Sequence, residues 1–340
     1  MTGNPLSHFF VSSEVSRALS LSLPVVALES TVITHGLPSP QNLSLARDME
    51  QEVRKEGATP ATIAVLDGEV HVGLTDAELE HLAYLAREKI PELPKPELRR
   101  MLNLRGEVDP SLSEKRVLKI SRRDFATAIA KKQSGGTTVA GTLFAADKVG
   151  IKIFATGGIG GVHSTESFDI STDLLALAET PMIVVCAGAK AILDLPSTLE
   201  YLETMGVPVV GFQTGEFPAF YSRESGLPVS VRIDSPKEVA SFARAHWDIG
   251  MKSAVLVCQP PPVNAALPRQ TVDRAIKQAK HEAHEKGIHG QTFTPFLLQR
   301  LIELTDGDTL RANLALLLNN GKLAGQIARA WSAGQQEKAL

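Results

Sequence analysis

The feature that most constrains this chain is an alternation, kept up over most of its length, of short apolar runs with longer amphipathic ones. Val25–Leu28, Thr62–Leu66, Val70–Val72, Val117–Ile120, Ile151–Ala155, Met182–Cys186, Val207–Phe212, Val229–Ile233 and Ala254–Cys258 read as strands. Gln41–Glu56, Asp76–Glu88, Asp124–Lys132, Thr138–Val149, Thr172–Glu179, Thr198–Met205, Pro236–Trp247, Thr271–Lys286, Pro295–Thr305 and Leu310–Ala330 read as helices. A strand apolar at consecutive positions has to be covered on both sides. The alternation therefore predicts an α/β fold, a mostly parallel sheet flanked by helices on both faces. With 340 residues, 43% of them hydrophobic, the chain can bury one large core. We expect a single large domain over 23–332, after a lead-in over 1–22 and before a tail over 333–340.

Local punctuation agrees with this division. Asp67-Gly68 between two short strands fits a type I′ hairpin turn. Thr75 with Glu78 forms a capping-box pattern, and Ser235-Pro236-Lys237-Glu238 adds a first-turn proline to the same device. Gly57, Gly150, Gly206 and Gly287 fall where helices should stop. One segment breaks the rhythm. Glu88–Lys115 mixes Pro91, Pro94, Pro96 and Pro110 with many charges, so it predicts an exposed insertion with a short helix near Glu97–Leu104.

A formal net charge of −3 gives no bulk attraction to nucleic acid, and no apolar run approaches a membrane span. Two cysteines, Cys186 and Cys258, each end an apolar run, which suits buried thiols in a reducing compartment. A cytoplasmic location is expected. The polar, Ser-rich start, which reads as a peripheral helix or a disordered lead, leaves an organelle leader open.

Met182-Ile-Val-Val-Cys-Ala-Gly-Ala-Lys190 carries the sharpest chemical signal. A buried strand breaks into small residues and delivers one lysine at its carboxyl end, where open α/β sheets bind ligands. A lysine beside apolar groups there can serve as a neutral amine nucleophile, and the competing reading is a cation that reaches out to water. Glu29 follows strand Val25–Leu28 directly, so it is either a general acid–base or a carboxylate capping the next turn. Lys119-Ile-Ser-Arg-Arg-Asp124 places cations beside a helix start, a plausible phosphate or carboxylate site or else a solvated basic turn. Ser134-Gly-Gly-Thr-Thr138 and Thr156-Gly-Gly-Ile-Gly-Gly161 can aim backbone N–H groups at phosphate or simply turn tightly; neither is a P-loop. Asp169 and Asp173, with Ser171 and Thr172 between them, offer oxygen ligands to a hard ion such as Mn²⁺ or Mg²⁺, with His163 nearby. Serine and aspartate at a helix start are equally ordinary caps. The sequence shows no cysteine–histidine ligand spacing of the kind zinc favours.

Taken together, Val25-Val-Ala-Leu-Glu-Ser-Thr31, Thr34-His-Gly36, Gly57-Ala-Thr-Pro-Ala-Thr-Ile63, Ser121-Arg-Arg-Asp124, Gly136-Thr-Thr-Val139, Phe154-Ala-Thr-Gly-Gly-Ile-Gly-Gly-Val-His163, Phe168-Asp-Ile-Ser171, Val184-Val-Cys-Ala-Gly-Ala-Lys190, Leu199-Glu-Tyr-Leu-Glu-Thr204 and Thr294-Pro-Phe-Leu-Leu298 resemble the pseudouridine-5′-phosphate glycosidase family. The strings are in order and spread from about Val25 to Ala330. The 88–115 insertion departs from the usual bacterial pattern, and the chain lacks the sugar-kinase half that some members carry.

The resemblance implies a pseudouridylate synthase activity: reversible cleavage of the C–C glycosidic bond of pseudouridine 5′-phosphate to uracil and ribose 5-phosphate. A C-glycoside has no leaving oxygen to protonate, so the paired-carboxylate route of ordinary glycosidases does not serve. Lys190 then matches the lysine that attacks C1′, and Glu29 the proton donor. Lys119 matches a substrate contact and Val139 a backbone contact. Asp169 matches the carboxylate on one Mn²⁺ per subunit, while Ser171, Thr172 and Asp173 match the adjoining substrate loop. Asn313 matches a late asparagine brought to the site. A homo-oligomer, with a trimer as the working expectation, is also implied. Two other readings stay open: a different Schiff-base enzyme such as a sugar-phosphate aldolase, and a non-enzymatic sugar-phosphate-binding module.

Overall fold

A computed structural model of the chain describes residues 6–37, 39–86, 117–163, 169–288 and 293–339. Among the described residues, eleven strands form one sheet. Its central run is parallel: β2 (Val25–Leu28), β7 (Ile153–Ala155), β8 (Ile183–Cys186), β11 (Val255–Cys258), β9 (Val209–Phe212) and β10 (Val231–Ile233), in that spatial order. Every residue of β2, β7, β8, β9 and β11 is buried. That is the burial their unbroken apolar runs demand.

On the other side of β2 the sheet becomes mixed. β3 (Thr59–Leu66) pairs parallel with β2 but antiparallel with β4 (Glu69–Val72) and β6 (Gly135–Thr137). β6 pairs parallel with β5 (Leu118–Ile120). Asp67 at φ +47° and Gly68 at φ +86° make the expected hairpin turn between β3 and β4. The two predicted capping boxes form: Glu78 N donates to Thr75 Oγ1, and Glu238 N to Ser235 Oγ.

Helices flank the sheet. They are α1 (Ser13–Ser20), α2 (Gln41–Lys55), α3 (Asp76–Ala86), α4 (Phe125–Ala130), α5 (Val139–Lys148), α6 (Thr172–Glu179), α7 (Leu195–Thr204), α8 (Pro236–Asp248), α9 (Arg269–Glu285), α10 (Phe293–Leu304) and α11 (Asp308–Ala339). α11 packs against β2, β7 and β8, and α5 against β2, β3, β4 and β6.

The structure adds elements that the sequence pattern did not separate. β1 (Phe9–Val11) pairs parallel with β4, and α1 buries Val15 and Ala18, so part of the predicted lead-in belongs to the sheet layer. α11 continues past residue 332, where a tail was expected. The Ser134–Thr138 loop is in part a strand. It goes unrecognised because glycine carries no strand signal, yet only glycine fits: a Cβ on Gly135 would lie 2.4 Å from Leu118 O, and one on Gly136 2.4 Å from Thr34 Oγ1. The predicted insertion over 88–115, with its helix near Glu97–Leu104, lies outside the described residues. Among the described residues no helix is long and apolar enough to cross a membrane.

Candidate active site

Parallel pairing brings the first residues after adjacent strands to one rim of the sheet. Leu28 is level with Ala155, so Glu29 stands beside Thr156. Thr156 Oγ1 donates to one oxygen of Glu29 and Thr31 Oγ1 to the other. The carboxylate is thus held at both ends by neutral hydroxyls at the mouth of β2 and β7, half-buried. Ser30, fully buried, turns the other way and donates to Ile63 O at 2.5 Å, which ties this rim to β3.

Lys190 lies four residues beyond β8, where the pairing continues through the loop. Ala187 N donates to Gly157 O at 2.8 Å, Ile159 N to Gly188 O at 3.1 Å and Lys190 N to Ile159 O at 3.1 Å. Gly188 sits at φ +84°, with Pro218 O only 2.2 Å from where a Cβ would be, so the turn that aims Lys190 tolerates no side chain there. The lysine is half-buried at the carboxyl end of the strand, as the sequence predicts.

Lys119 arrives from the mixed part of the sheet. It pairs with Gly136, and Gly136 with Ala64, while Leu28 pairs with Thr62. Lys119 therefore stands level with the backbone just past Leu28. Its surface is open to solvent, yet protein encloses it on the scale over which charges act. That enclosure, with the cation of Lys190, holds its ammonium below the usual lysine range, against the pull of Asp173 and Glu29. Four of the predicted residues thus share one electrostatic neighbourhood.

Asp173 has a different place from a free ligand contact. It is buried, and Oδ1 accepts from Ala140 N at 2.9 Å while Oδ2 accepts from Gly160 N at 2.9 Å. It joins the start of α5 to the glycine loop after β7. Gly160 must be glycine, since a Cβ would lie 2.1 Å from Ser171 Oγ. Ser171 caps α6, and Thr172 Oγ1 is 2.9 Å from Ser121 Oγ. The side chain of Val139 is in the core, which leaves its first-turn N–H as the group able to face a ligand.

The basic turn divides. Arg122 donates to Glu179 at 2.6 Å, and Arg123 is exposed beside Asp124, so Lys119 alone of the three cations joins the site. Asp169 is exposed, and its backbone O accepts from His163 N at 3.0 Å. Burial chiefly, with Lys280, Lys190 and Lys119, pushes the His163 imidazole below its ordinary range, against the attraction of Asp169. Among the described residues no group of three or more His, Cys, Asp or Glu converges as a metal cage. Cys186 and Cys258 are free, fully buried and level on adjacent strands, with Sγ atoms 3.9 Å apart.

Asn313 is half-buried on α11. Two turns further along the same face, Asn320 is fully buried and donates to Thr156 O at 2.9 Å. Sequence reasoning passed over Asn320, and took Thr156 only as the first residue of a glycine-rich loop, not as the hydroxyl that donates to Glu29. The helical spacing from Asn313 to Asn320 was the one readable signal.

A profile described as indigoidine synthase A like protein matches residues 14–101 and 105–330. A pseudouridine-5′-phosphate glycosidase of Caldanaerobacter subterraneus subsp. tengcongensis is 47% identical over 320 residues, covering 94% of this chain and 95% of its own. One from Solibacter usitatus is 48% identical over 323 residues, covering 94% and 98%. Among solved structures, the prealnumycin C-glycosynthase in complex with ribulose 5-phosphate superposes with a TM-score of 0.83 at 38% identity, covering 98% of this chain and all of its own. An indigoidine synthase A-like protein of Thermotoga maritima gives 0.80 at 32% identity, with the same coverage.

Proposed function

The chain belongs to the pseudouridine-5′-phosphate glycosidase family, the indigoidine synthase A-like group, and from that premise we propose that it cleaves pseudouridine 5′-phosphate reversibly to uracil and ribose 5-phosphate. The observation that carries this reading is the meeting of Glu29, held by Thr31 and Thr156, with Lys119 and Lys190 at one rim.

The residues divide the chemistry as follows. The Lys190 amine, in its neutral form, bonds to C1′ as the C1′–O4′ bond breaks and O4′ takes a proton. Glu29 then gives a proton to uracil C5. The C1′–C5 bond breaks toward the base, and the nitrogen lone pair closes an imine at C1′. Water hydrolyses the imine, releasing ribose 5-phosphate and the free amine. Lys119, as an ammonium, binds an anionic or carbonyl oxygen of the substrate. Asp173 keeps the Ala140 and Gly160 loops in register around it.

Asp169, an exposed carboxylate, would be the residue to hold a hard divalent ion such as Mn²⁺. Such an ion would supply positive charge beside substrate oxygens. We also expect a homo-oligomer, for which a trimer is the working assignment; sedimentation at micromolar concentration reads it directly.

Incubation with ribose 5-phosphate and uracil should consume uracil absorbance. Borohydride in the same mixture should leave a sugar-phosphate adduct on Lys190, found by mass spectrometry. An adduct elsewhere, or aldol turnover without any consumption of uracil, overturns the reading.

A further inference from the structure

The three polar groups of Thr156 are committed to three different elements. Its N–H donates to Val185 O on β8 at 3.0 Å, and its hydroxyl donates to Glu29 at the end of β2. Its carbonyl lies one residue beyond β7, and among the described residues no backbone N–H donates to it. Thr156 is fully buried, so that carbonyl needs a partner from the protein. The partner comes from α11: Asn320 Nδ2 donates to Thr156 O at 2.9 Å, with Gly157 O a longer second contact at 3.4 Å.

Asn320 is itself fully buried, and only one end of its amide is used. The nitrogen holds the turn after β7, while Oδ1 is buried and, among the described residues, accepts from no donor. A buried amide with an unpaired oxygen destabilises the fold relative to an apolar side chain of the same shape. If the position served only to seat α11 on the sheet, leucine would serve it, as at the buried neighbours Leu316, Leu317 and Leu323. What asparagine adds is the donor. Thr156 is β-branched and stiff about χ1, so its hydroxyl goes where the backbone carries it. Whatever fixes the peptide after β7 therefore fixes the donor to Glu29.

We propose that Asn320 is a positioning residue for the proton donor: by holding the carbonyl of Thr156 it keeps the Thr156 hydroxyl on Glu29, and so keeps that carboxyl aimed at the substrate carbon. This rests on the reading of Glu29 given above. Asn320 acts through Thr156 and not by contact with substrate.

The test compares wild type, Asn320→Leu, Thr156→Val and the double variant in steady-state uracil consumption, in borohydride trapping of the Lys190 adduct with ribose 5-phosphate, and in thermal midpoint. Asn320→Leu should lower kcat roughly 10- to 100-fold, the scale of a catalytic group displaced by about 1 Å, with KM for uracil and for ribose 5-phosphate little changed. Adduct trapping, which needs no proton on carbon, should keep its wild-type rate, and the thermal midpoint should stay within a few degrees. Thr156→Val should lower kcat to a similar extent, and Asn320→Leu should add little to it, because both remove the same contact. Asn320→Ala, which removes the donor without adding bulk, should show the same split, and carries the test if Asn320→Leu does not fold. Losses that multiply in the double variant, a wild-type kcat in Asn320→Leu, or a parallel loss of trapping, substrate binding and stability overturns the proposal; the last is what a brace for α11 alone would give. A wild type that consumes no uracil counts against the glycosidase reading by itself. Crystal structures of wild type and Asn320→Leu then decide the role of Asn320: departure of Thr156 Oγ1 from hydrogen-bond reach of Glu29 supports it, and retention overturns it.

Discussion

The two parts of the sheet on either side of β2 bring residues to the site by different means. In the parallel part, β2, β7 and β8 all run the same way, so whatever follows each strand appears at one rim. Glu29, Thr156 and Lys190 meet there without any dedicated motif. In the mixed part the chain reverses at Asp67-Gly68, and Lys119 reaches the same level only because Gly135 and Gly136 let β5, β6 and β3 approach closely. Topology positions the groups proposed to react, and close packing positions the group proposed to hold substrate. The comparison has a direct consequence. Substitutions in the parallel part should strike the chemical step and spare the fold, whereas those in the mixed part should strike affinity or stability.

The largest effect should come from Lys190→Ala. The side chain is half-buried at a loop, so its loss leaves the core unchanged while removing the amine proposed to form the bond. Turnover should vanish, with the thermal midpoint within a few degrees of wild type. Residual activity at even a few per cent of wild type would show that another group forms the bond, and would break the comparison at its strongest point.

Glu29→Gln comes next. The amide keeps the shape, with its oxygen able to accept from one of Thr156 and Thr31 and its nitrogen able to donate to the other hydroxyl, but it carries no proton to C5. A loss of roughly 10²- to 10⁴-fold in kcat is expected, with little change in KM. A rise in KM at constant kcat would mean that Glu29 only binds, which makes it no different in kind from Lys119.

How much of this was legible in the sequence follows the same division. Val25–Leu28, Met182–Cys186 and Ala254–Cys258 announced themselves as doubly covered strands, and a residue placed after a parallel strand can be located without knowing its neighbours. Glu29 and Lys190 were legible for that reason. Gly135–Thr137 was not, because its strand state depends on Leu118 and Thr34, which approach from elsewhere in the chain. Phe9–Val11 is three residues at the sheet edge, formed by pairing with β4 and not by its own pattern. Asp173 was read as part of a substrate loop, and only the structure shows both its oxygens engaged by backbone N–H groups.

Lys119 tests the mixed part at the site. Burial and the Lys190 cation lower its proton affinity, so its ammonium is lost at a lower pH than that of a free lysine, whose reference value is 10.5. If the ammonium binds substrate, KM should climb as pH rises toward that range from below, before kcat changes. Lys119→Arg should hold the charge and push the climb to higher pH, and Lys119→Met should raise KM roughly 10- to 100-fold at all pH values. A pH-independent KM in wild type would remove the cation from substrate binding.

The smallest effect belongs to Glu50, on α2 against β3, in the mixed part. Thr62 Oγ1 donates to it at 2.6 Å, but burial outweighs this and raises its pKa above the reference 4.5. The folded state therefore holds the Glu50 proton more tightly than the unfolded chain does. Between the unfolded value and the raised folded value the folded state binds more protons, so this group's contribution to stability falls as pH rises through that window. At neutral pH it is a net cost, carried for the length of the plateau above. Glu50→Gln keeps the acceptor for Thr62 without a charge to desolvate. Its thermal midpoint should exceed wild type at pH 7, the gap should close as pH falls below about 4.5, and kcat and KM should stay as in wild type. A variant less stable at pH 7 would mean that attraction from Arg54 outweighs burial. A change in kcat would show that the mixed part of the sheet reaches the chemical step after all, and the division between the two parts would have to be redrawn.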